Sequence, residues 1–356
     1  MYKSLNYYNY DKLLSYNATY NICVGGRGLG KTYGAKRKVL RNAINTLNLS
    51  TGYCDQFIYL RRYKTEIKLS KDTFFADIWH EFPDWDFRTV GYEAQIAPIA
   101  TREIKGRKWI VIGYFLPLAT SQQYKGVAFP RVKTIIFDEF IIETGVIRYL
   151  PNETVVFNNF YSTVDRYKDK TRVYFLANSV SITNPYFVDW DINPRTSDKN
   201  GIVKAYKNPE SETHFIVAHF VESKEFNSQA YETVFGRFIQ GTSYAEYAVE
   251  NQFSDNHENL IKPKGTNAEY KYTVETKLST FSVWYDLYTR EWYCLEKRPR
   301  GDETIFTMVP GLMDTYKTLV VWRDKPLAML RNAFKNGVMS FDKPATRNSF
   351  LEIFKQ

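Results

Sequence analysis

Residues for metal and redox chemistry are scarce in this chain of 356 residues. Its three cysteines, Cys23, Cys54 and Cys294, are odd in number and far apart, which excludes a disulfide framework and a zinc ribbon. The four histidines, His80, His214, His219 and His257, are scattered. His214 and His219 share the alternating stretch THFIVAHF, but five residues apart on a strand they point to opposite faces and make no joint metal site. Long apolar runs are missing as well. The longest, WIVIGYFLPL at 109–118, is about half of what a bilayer span needs and contains Gly and Pro. The first residues, MYKSLNYYNYDKLL, lack the apolar core of a signal peptide. These absences point to a soluble intracellular protein of a reducing compartment, with no membrane partner. No period of 20–50 residues repeats, so a solenoid is excluded.

Apolar residues make up 44% of the chain and charged residues 24%. Such a chain can bury enough apolar surface to offset its ordering entropy, so disorder is not its main state. Its length predicts two or three domains. A formal charge of +9 and a pI near 9.1 favour a polyanionic partner. The aromatic share of 17% fits base stacking or interfaces, and equally a tyrosine-rich core.

Apolar runs and helical stretches alternate over the first two hundred residues. YNICV (20–24), QFIYL (56–60), VKTIIFDEF (132–140) and TRVYFLANS (171–179) read as strands. IKGRKWIVIGYFLPL (104–118) reads as two strand-like pieces broken at Gly113. YGAKRKVLRNAINTL, TFFADIWHEF (73–82) and ETVVFNNFYSTVDRY (153–167) read as helices. This alternation predicts a mostly parallel α/β sheet. Residues 191–201 read as a loop, HFIVAHF as a further strand, and the following polar stretch as helical. Beyond 263–270 the texture turns alternating and aromatic, which predicts an antiparallel meander closed by helices near 324–336 and 346–355. The expected organisation is an α/β domain over 1–197, a helical linker over 198–256 and an α+β domain over 257–356.

The strongest chemical signal is Gly25-Gly26-Arg27-Gly28-Leu29-Gly30-Lys31-Thr32. It fits G-x-x-x-x-G-K-[ST] and lies between a predicted strand and a predicted helix, the context that a phosphate-binding loop requires. Its backbone amides can curl around phosphate oxygens, and the helix amino terminus adds partial positive charge. Lys31 then reaches the β- and γ-phosphates of ATP, and the Thr32 hydroxyl reaches Mg²⁺. Asp138 and Glu139 end a predicted strand. In an open parallel sheet ligands collect at that end, so Asp138 is expected in the Mg²⁺ shell and Glu139 beside the attacking water. Paired acids at this place mark the additional-strand, catalytic-glutamate (ASCE) ATPases. Asn178, closing the strand VYFLANS, is placed to sense the γ-phosphate, or simply ends the strand. Arg166 lies in the charged segment 165–170, read either as a solvated loop or as an arginine finger. Arg61-Arg62-Tyr63-Lys64 and Lys105-Gly106-Arg107-Lys108 are candidates for phosphate-backbone contacts.

GGRGLGKT, FIYLRRYK, YKGVAFPRVKTIIFDEF and FLANSVSITNPYF, in this order, resemble the DNA-packaging ATPases of φ29-type phages. FGRFIQGTSYAEYAVENQF and FKNGVMSFDK extend the resemblance over nearly the whole chain. It implies a homopentameric ring motor, of terminase type, that drives double-stranded DNA through the portal into a prohead. Such a motor works in the host cytoplasm, attaches transiently to the prohead and is absent from the mature virion. In some relatives a packaging RNA docks the motor. The resemblance places the family's arginine finger on Arg166 and a second trans-acting cation on Lys125. It places DNA contacts on the RRYK segment, at Lys64 and Arg62, and on the channel-facing loop from Gly145 to Tyr149, which includes Arg148. Arg27 matches an arginine also found in large terminases.

The C-terminal domain is similar to the family's RNase H-like fold. Two-metal cleavage needs clustered carboxylates, yet over 257–356 twelve acids stand against sixteen Lys and Arg. Glu275 and Asp286 are the nearest candidates. The expectation is a vestigial, non-cleaving domain. The rival functions are a large terminase with an active nuclease, a helicase or helicase loader, and a docking module with a vestigial loop.

Overall fold

Strands rich in β-branched and aromatic residues, buried on both faces, dominate the first part of the chain, as expected for a parallel sheet sandwiched between helices. The computed structural model describes residues 7–142, 149–178, 184–242, 260–299, 304–321, 323–335 and 338–354, with 245 and 249. Two units divide between Ser254 and Asp255.

In the first unit the strands are β1 (Tyr20–Gly25), β2 (Gln56–Arg61), β3 (Trp85–Val90), β4 (Glu93–Pro98), β5 (Ile110–Pro117), β6 (Val132–Asp138), β7 (Arg172–Ala177), β8 (Ile202–Lys207) and β9 (His214–Val221). Among the described residues they form one sheet in the order β3-β4-β5-β2-β6-β7-β1-β9-β8. The run from β5 to β9 is parallel, and antiparallel strands close both edges. β7 lies between β1 and β6, an order consistent with an additional-strand ATPase. Tyr20, Ile22 and Val24 of β1 pack on one face with Phe157 and Phe160 of the helix Glu153–Asp165. Cys23 packs on the other with Ala35, Val39 and Leu40 of the helix Lys31–Asn45.

Four local expectations change. The helix expected at 73–82 instead runs over Lys64–Thr73, where Glu66 accepts the Tyr63 N–H at 2.7 Å and caps it. Phe74, Ile78 and Phe82 are buried at helical spacing, but successive turns carry them, ending in a 3₁₀ turn at Trp79–Glu81. The β3–β4 hairpin was not anticipated. Its signal was the two-residue loop Gly91-Tyr92 with Gly91 at φ +59°. β5 is not broken at Gly113. The strand runs through it, and the position is glycine because a Cβ there would lie 2.7 Å from the Phe57 ring, its neighbour on β2. Finally, β8 and β9 complete the first sheet, so residues 202–221 belong to that unit and not to a linker beginning at 198.

In the second unit β10 (Glu269–Glu275), β11 (Thr280–Asp286) and β12 (Glu291–Leu295) form the expected antiparallel meander. β13 (Ile305–Thr307), β14 (Lys317–Leu319) and β15 (Met339–Phe341) join it in the order β14-β13-β10-β11-β12-β15. β13 runs parallel to β10, and β14 parallel to β13. The helices Lys325–Lys335 and Pro344–Leu351 pack on this sheet through Leu327, Leu330 and Phe350. Among the described residues no helix is long and apolar enough to cross a membrane.

Candidate nucleotide-binding site

Strand register assembles the site. β7 pairs Leu176 with Asp138 on one side and Ala177 with Val24 on the other. The carboxyl ends of β1, β6 and β7 are therefore level, and Gly25, Asp138 and Asn178 meet there. A cleft at this edge is lined by Gly28, Gly30, Lys31, Thr32, Tyr33, Asp138, Glu139, Ala177 and Asn178. The loop between β1 and the helix Lys31–Asn45 turns through Gly28 at φ +81° and Gly30 at φ +71°. A Cβ on Gly30 would fall 2.2 Å from the Tyr7 ring, so only glycine fits. Leu29 is buried and anchors the loop to the core, while Gly25 and Gly26 are buried at the strand end. Arg27 is exposed on the loop.

The Lys31 ammonium donates to Gly25 O at 2.9 Å, Gly26 O at 2.7 Å and Asn178 Oδ1 at 3.2 Å. Burial pushes its pKa below the ordinary lysine value, which favours an anion beside it. The Thr32 hydroxyl donates to Asp138 Oδ1 at 3.1 Å and Oδ2 at 3.2 Å. Tyr59, on the neighbouring β2, donates its hydroxyl to Asp138 Oδ2 at 2.7 Å. A hydroxyl and a carboxylate this close are hard oxygen donors, the set that suits Mg²⁺ when phosphates complete its shell. The donor chemistry therefore fits the ion.

Glu139 follows Asp138 in the left-handed region, φ +53°, and its N–H donates to Asp138 Oδ1 at 3.1 Å. The turn throws its side chain outward, where Arg61 Nη2 holds Oε2 at 2.6 Å. Arg61 also pairs with Glu66 at 3.0 Å and lies 3.9 Å from Asp138. Burial opposes its charge, but Asp138, Tyr59, Glu139 and Glu66 outweigh burial and raise its pKa. Sequence reasoning missed Tyr59 and Arg61 as parts of this site. The signal was their position on the strand beside Asp138, at the carboxyl end, where β2 pairs Leu60 with Phe137.

Not every expected residue joins. Arg62 is 1% exposed and forms a two-pronged ion pair with Glu153, Nε to Oε2 at 2.7 Å and Nη2 to Oε1 at 2.8 Å. It also donates to Phe140 O at 2.7 Å. A guanidinium buried and satisfied in this way cannot reach DNA, so its role is structural. Arg107 is likewise occupied, paired with Asp86 at 2.7 Å and 4.7 Å above the Trp109 ring. Lys64 is exposed at the start of its helix, beside Lys68, Lys71 and Tyr92. Arg148 and the loop residues 145–148 lie outside the described residues.

Arg166 and Lys125 are exposed elsewhere. The helix Glu153–Asp165 runs back from the carboxyl end of β6 and delivers Arg166 to the amino edge of the sheet, before β7 begins. Arg166 Nη2 donates to Val127 O at 3.2 Å, two residues beyond Lys125. At 3.3 Å per residue, the six residues of β7 separate this edge from Asn178 by roughly 20 Å.

The whole chain, residues 1–356, matches the family described as podovirus DNA encapsidation protein (Gp16). This chain belongs to that family. It is 31% identical to the DNA packaging protein of Bacillus phage phi29 over 361 residues, covering 99% of this chain and 98% of that one. It is also 31% identical to the DNA packaging protein of Bacillus phage B103, over 97% and 99% of the two chains. Among solved structures it resembles a chain of the bacteriophage Phi-29 viral genome packaging motor assembly, with a TM-score of 0.60 and 29% identity over 98% of this chain and 99% of the other. The Phi-28 gp11 DNA packaging motor shares the fold, with a TM-score of 0.61 at 21% identity over 98% and 96%.

Proposed function

We propose that this chain is the ATP-hydrolysing subunit of a viral DNA-packaging motor, which translocates double-stranded DNA by turning over ATP at sites built between subunits. Family membership supports the activity. One observation carries the inter-subunit mechanism: Lys31, Thr32, Asp138, Glu139 and Asn178 share a cleft at one edge of the sheet, while Arg166 and Lys125 stand at the other. No hinge within a single subunit's sheet brings these edges together, so the cations serve the site of a neighbour in a ring.

In this mechanism the loop 25–32 cradles the phosphates, and Lys31 turns from its backbone carbonyls to the β- and γ-phosphate oxygens. Thr32 and Asp138 would hold Mg²⁺, which when bound would supply charge neutralisation at the phosphates. Asn178, already hydrogen-bonded to Lys31, registers the γ-phosphate. Glu139 orients the attacking water once its contact with Arg61 opens. Arg166 and Lys125 of the adjoining subunit stabilise transition-state charge. The exposed Lys64 contacts DNA phosphates, a sequence-independent grip suited to a translocase. A homopentameric ring, docked on the prohead portal in the host cytoplasm, is the assembly we assign.

We further assign an RNase H-like fold to the second unit, on the order β12-β11-β10-β13-β14 with an antiparallel meander followed by parallel strands. Its carboxylates do not favour cleavage. Glu275 is paired with Lys317 at 3.1 Å, while Asp286 is buried and accepts the N–H groups of Tyr288 and Thr289 at 2.9 and 3.2 Å. They sit at opposite ends of the β10–β11 ladder.

Steady-state ATP hydrolysis with and without double-stranded DNA, beside Glu139→Gln, tests the reading. The expected result is DNA-stimulated turnover that the variant loses. Stimulated turnover retained in Glu139→Gln removes Glu139 from the mechanism, and preferential stimulation by single strands favours a helicase instead.

A further inference from the structure

The loop that carries Arg166 is unusually constrained. Arg166, Tyr167 and Asp169 have φ of +55°, +54° and +51°, so three non-glycine residues of four adopt the left-handed conformation. Such backbone persists only where its surroundings over-determine it. Here the surroundings are one buried carboxylate. Asp165, 2% exposed, ends the preceding helix. Its Oδ2 accepts the N–H groups of Lys168 at 2.8 Å and Asp169 at 2.9 Å, and its Oδ1 those of Lys170 and Thr171, both at 2.9 Å. Burial by itself would raise its pKa, but these four backbone donors outweigh burial and hold the carboxyl below its ordinary value.

The far side of the loop is tied to the segment that follows Lys125. Lys170 Nζ donates to Phe129 O at 3.0 Å and Pro130 O at 3.2 Å. The Thr171 hydroxyl donates to Val132 O at 3.2 Å, and Arg166 itself donates to Val127 O. The segments 125–132 and 166–171 are therefore cross-linked by side chain to backbone bonds at three successive points. Arg166 and Lys125 stand exposed at the end of this cross-linked pair.

We propose that Asp165 and Lys170 are positioning residues of the trans-acting edge: Asp165 fixes the Arg166 loop, and Lys170 joins it to the Lys125 segment, so that both cations reach the neighbouring subunit's phosphates as one rigid unit. The inference rests on the reading of Arg166 as trans-acting. Neither positioning residue touches nucleotide. Their value is that a cation held in place before the transition state needs no reorganisation when charge develops.

The test compares Arg166→Ala, Asp165→Asn, Lys170→Met and Lys170→Arg in the full-length chain assembled into the DNA-stimulated motor. It measures kcat, KM and the affinity of a fluorescent ATP analogue. Asparagine keeps the size of Asp165 but presents an NH₂ to two of the four N–H donors. A misplacement of about 1 Å can cost about 10²-fold in rate. We expect Asp165→Asn to lose about 10–100-fold in kcat and Lys170→Met somewhat less, each with nucleotide affinity and KM little changed. Lys170→Arg, which keeps the donors, restores turnover. A structural defect would not be cured by a partner subunit, whereas a positioning defect is. Asp165→Asn and Lys170→Met subunits mixed with Glu139→Gln subunits should therefore regain activity, as Arg166→Ala subunits should in the same mixture. Wild-type kcat in both positioning variants while Arg166→Ala is inactive overturns the inference and leaves Arg166 in place. So does a loss that mixing does not rescue. Wild-type turnover in Arg166→Ala overturns the underlying reading instead. If Asp165→Asn does not fold, the Lys170→Met and Lys170→Arg pair decides by the same criteria.

Discussion

The two edges of the first sheet solve opposite problems. At the carboxyl edge the charges are turned inward: Lys31 and Asp138 are each 7% exposed and linked by hydrogen bonds to Thr32, Tyr59 and Asn178. At the amino edge the cations Arg166 and Lys125 face outward, and among the described residues no carboxylate pairs with either. The first edge gathers a buried cation, a carboxylate and hydroxyls around one cleft. The second is organised to present charge to something large enough to cover it. In the ring that we propose, these surfaces face each other, and each subunit supplies one half of the chemistry.

The largest effects should come from variants that separate the edges. Lys31→Ala and Arg166→Ala should each reduce turnover by about 10³-fold or more, but only Lys31→Ala should abolish binding of a fluorescent ATP analogue to the isolated subunit. Equal loss of affinity in both would merge the two edges into one site and break the comparison. Next in size is the adjoining pair in the RRYK segment. Arg62→Ala strands the buried Glu153 carboxylate and should cost about 3–5 kcal/mol in urea unfolding, whereas Lys64→Ala should stay within about 0.5 kcal/mol and lower only the stimulation by DNA. A stable Arg62→Ala with weakened DNA stimulation would reverse these assignments. Gly113→Ala, deep in the sheet between the edges, should destabilise by about 1–3 kcal/mol through overpacking against Phe57.

The smallest effect is a pH dependence. His219 accepts or shares a proton with the Tyr8 hydroxyl at 2.8 Å, and burial, helped by Lys12, pushes its pKa down to about 4. The unfolded chain binds this proton near the ordinary value of about 6.5. Stability from His219 is thus complete above that value and declines as pH falls from about 6.5 towards 4. The melting temperature should fall over this interval, and His219→Gln should flatten the profile.

Much of the site could be read from the chain because its chemistry is local. The loop 25–32 is eight consecutive residues, with Gly28 and Gly30 needed for their own backbone angles, and Asp138-Glu139 closes a recognisable apolar strand. Residues that act across the sheet could not be read. Tyr59 and Arg61 sit beside Asp138 only because β2 neighbours β6, a pairing between strands some eighty residues apart. Arg62 and Lys64 share one basic motif, yet Arg62, just past the end of β2, turns into the core onto Glu153, while Lys64 opens a helix at the surface. The helix expected at 73–82 failed for a related reason: its apolar spacing was real, but a chain of turns buries Phe74, Ile78 and Phe82 equally well.

Order along the chain determined the alternation of strands and helices, the glycine turn at 25–32 and the paired acids at the end of β6, since backbone conformation and strand endings depend on neighbours in sequence. Tertiary structure decided where charge ends up. Strand register levelled Lys31, Asp138 and Asn178 at one edge, and the helix Glu153–Asp165 carried Arg166 to the other. A buried Asp165 gathered four amides from the loop after it. Burial and long-range pairing, which no single segment encodes, made one arginine a structural strut and left another exposed.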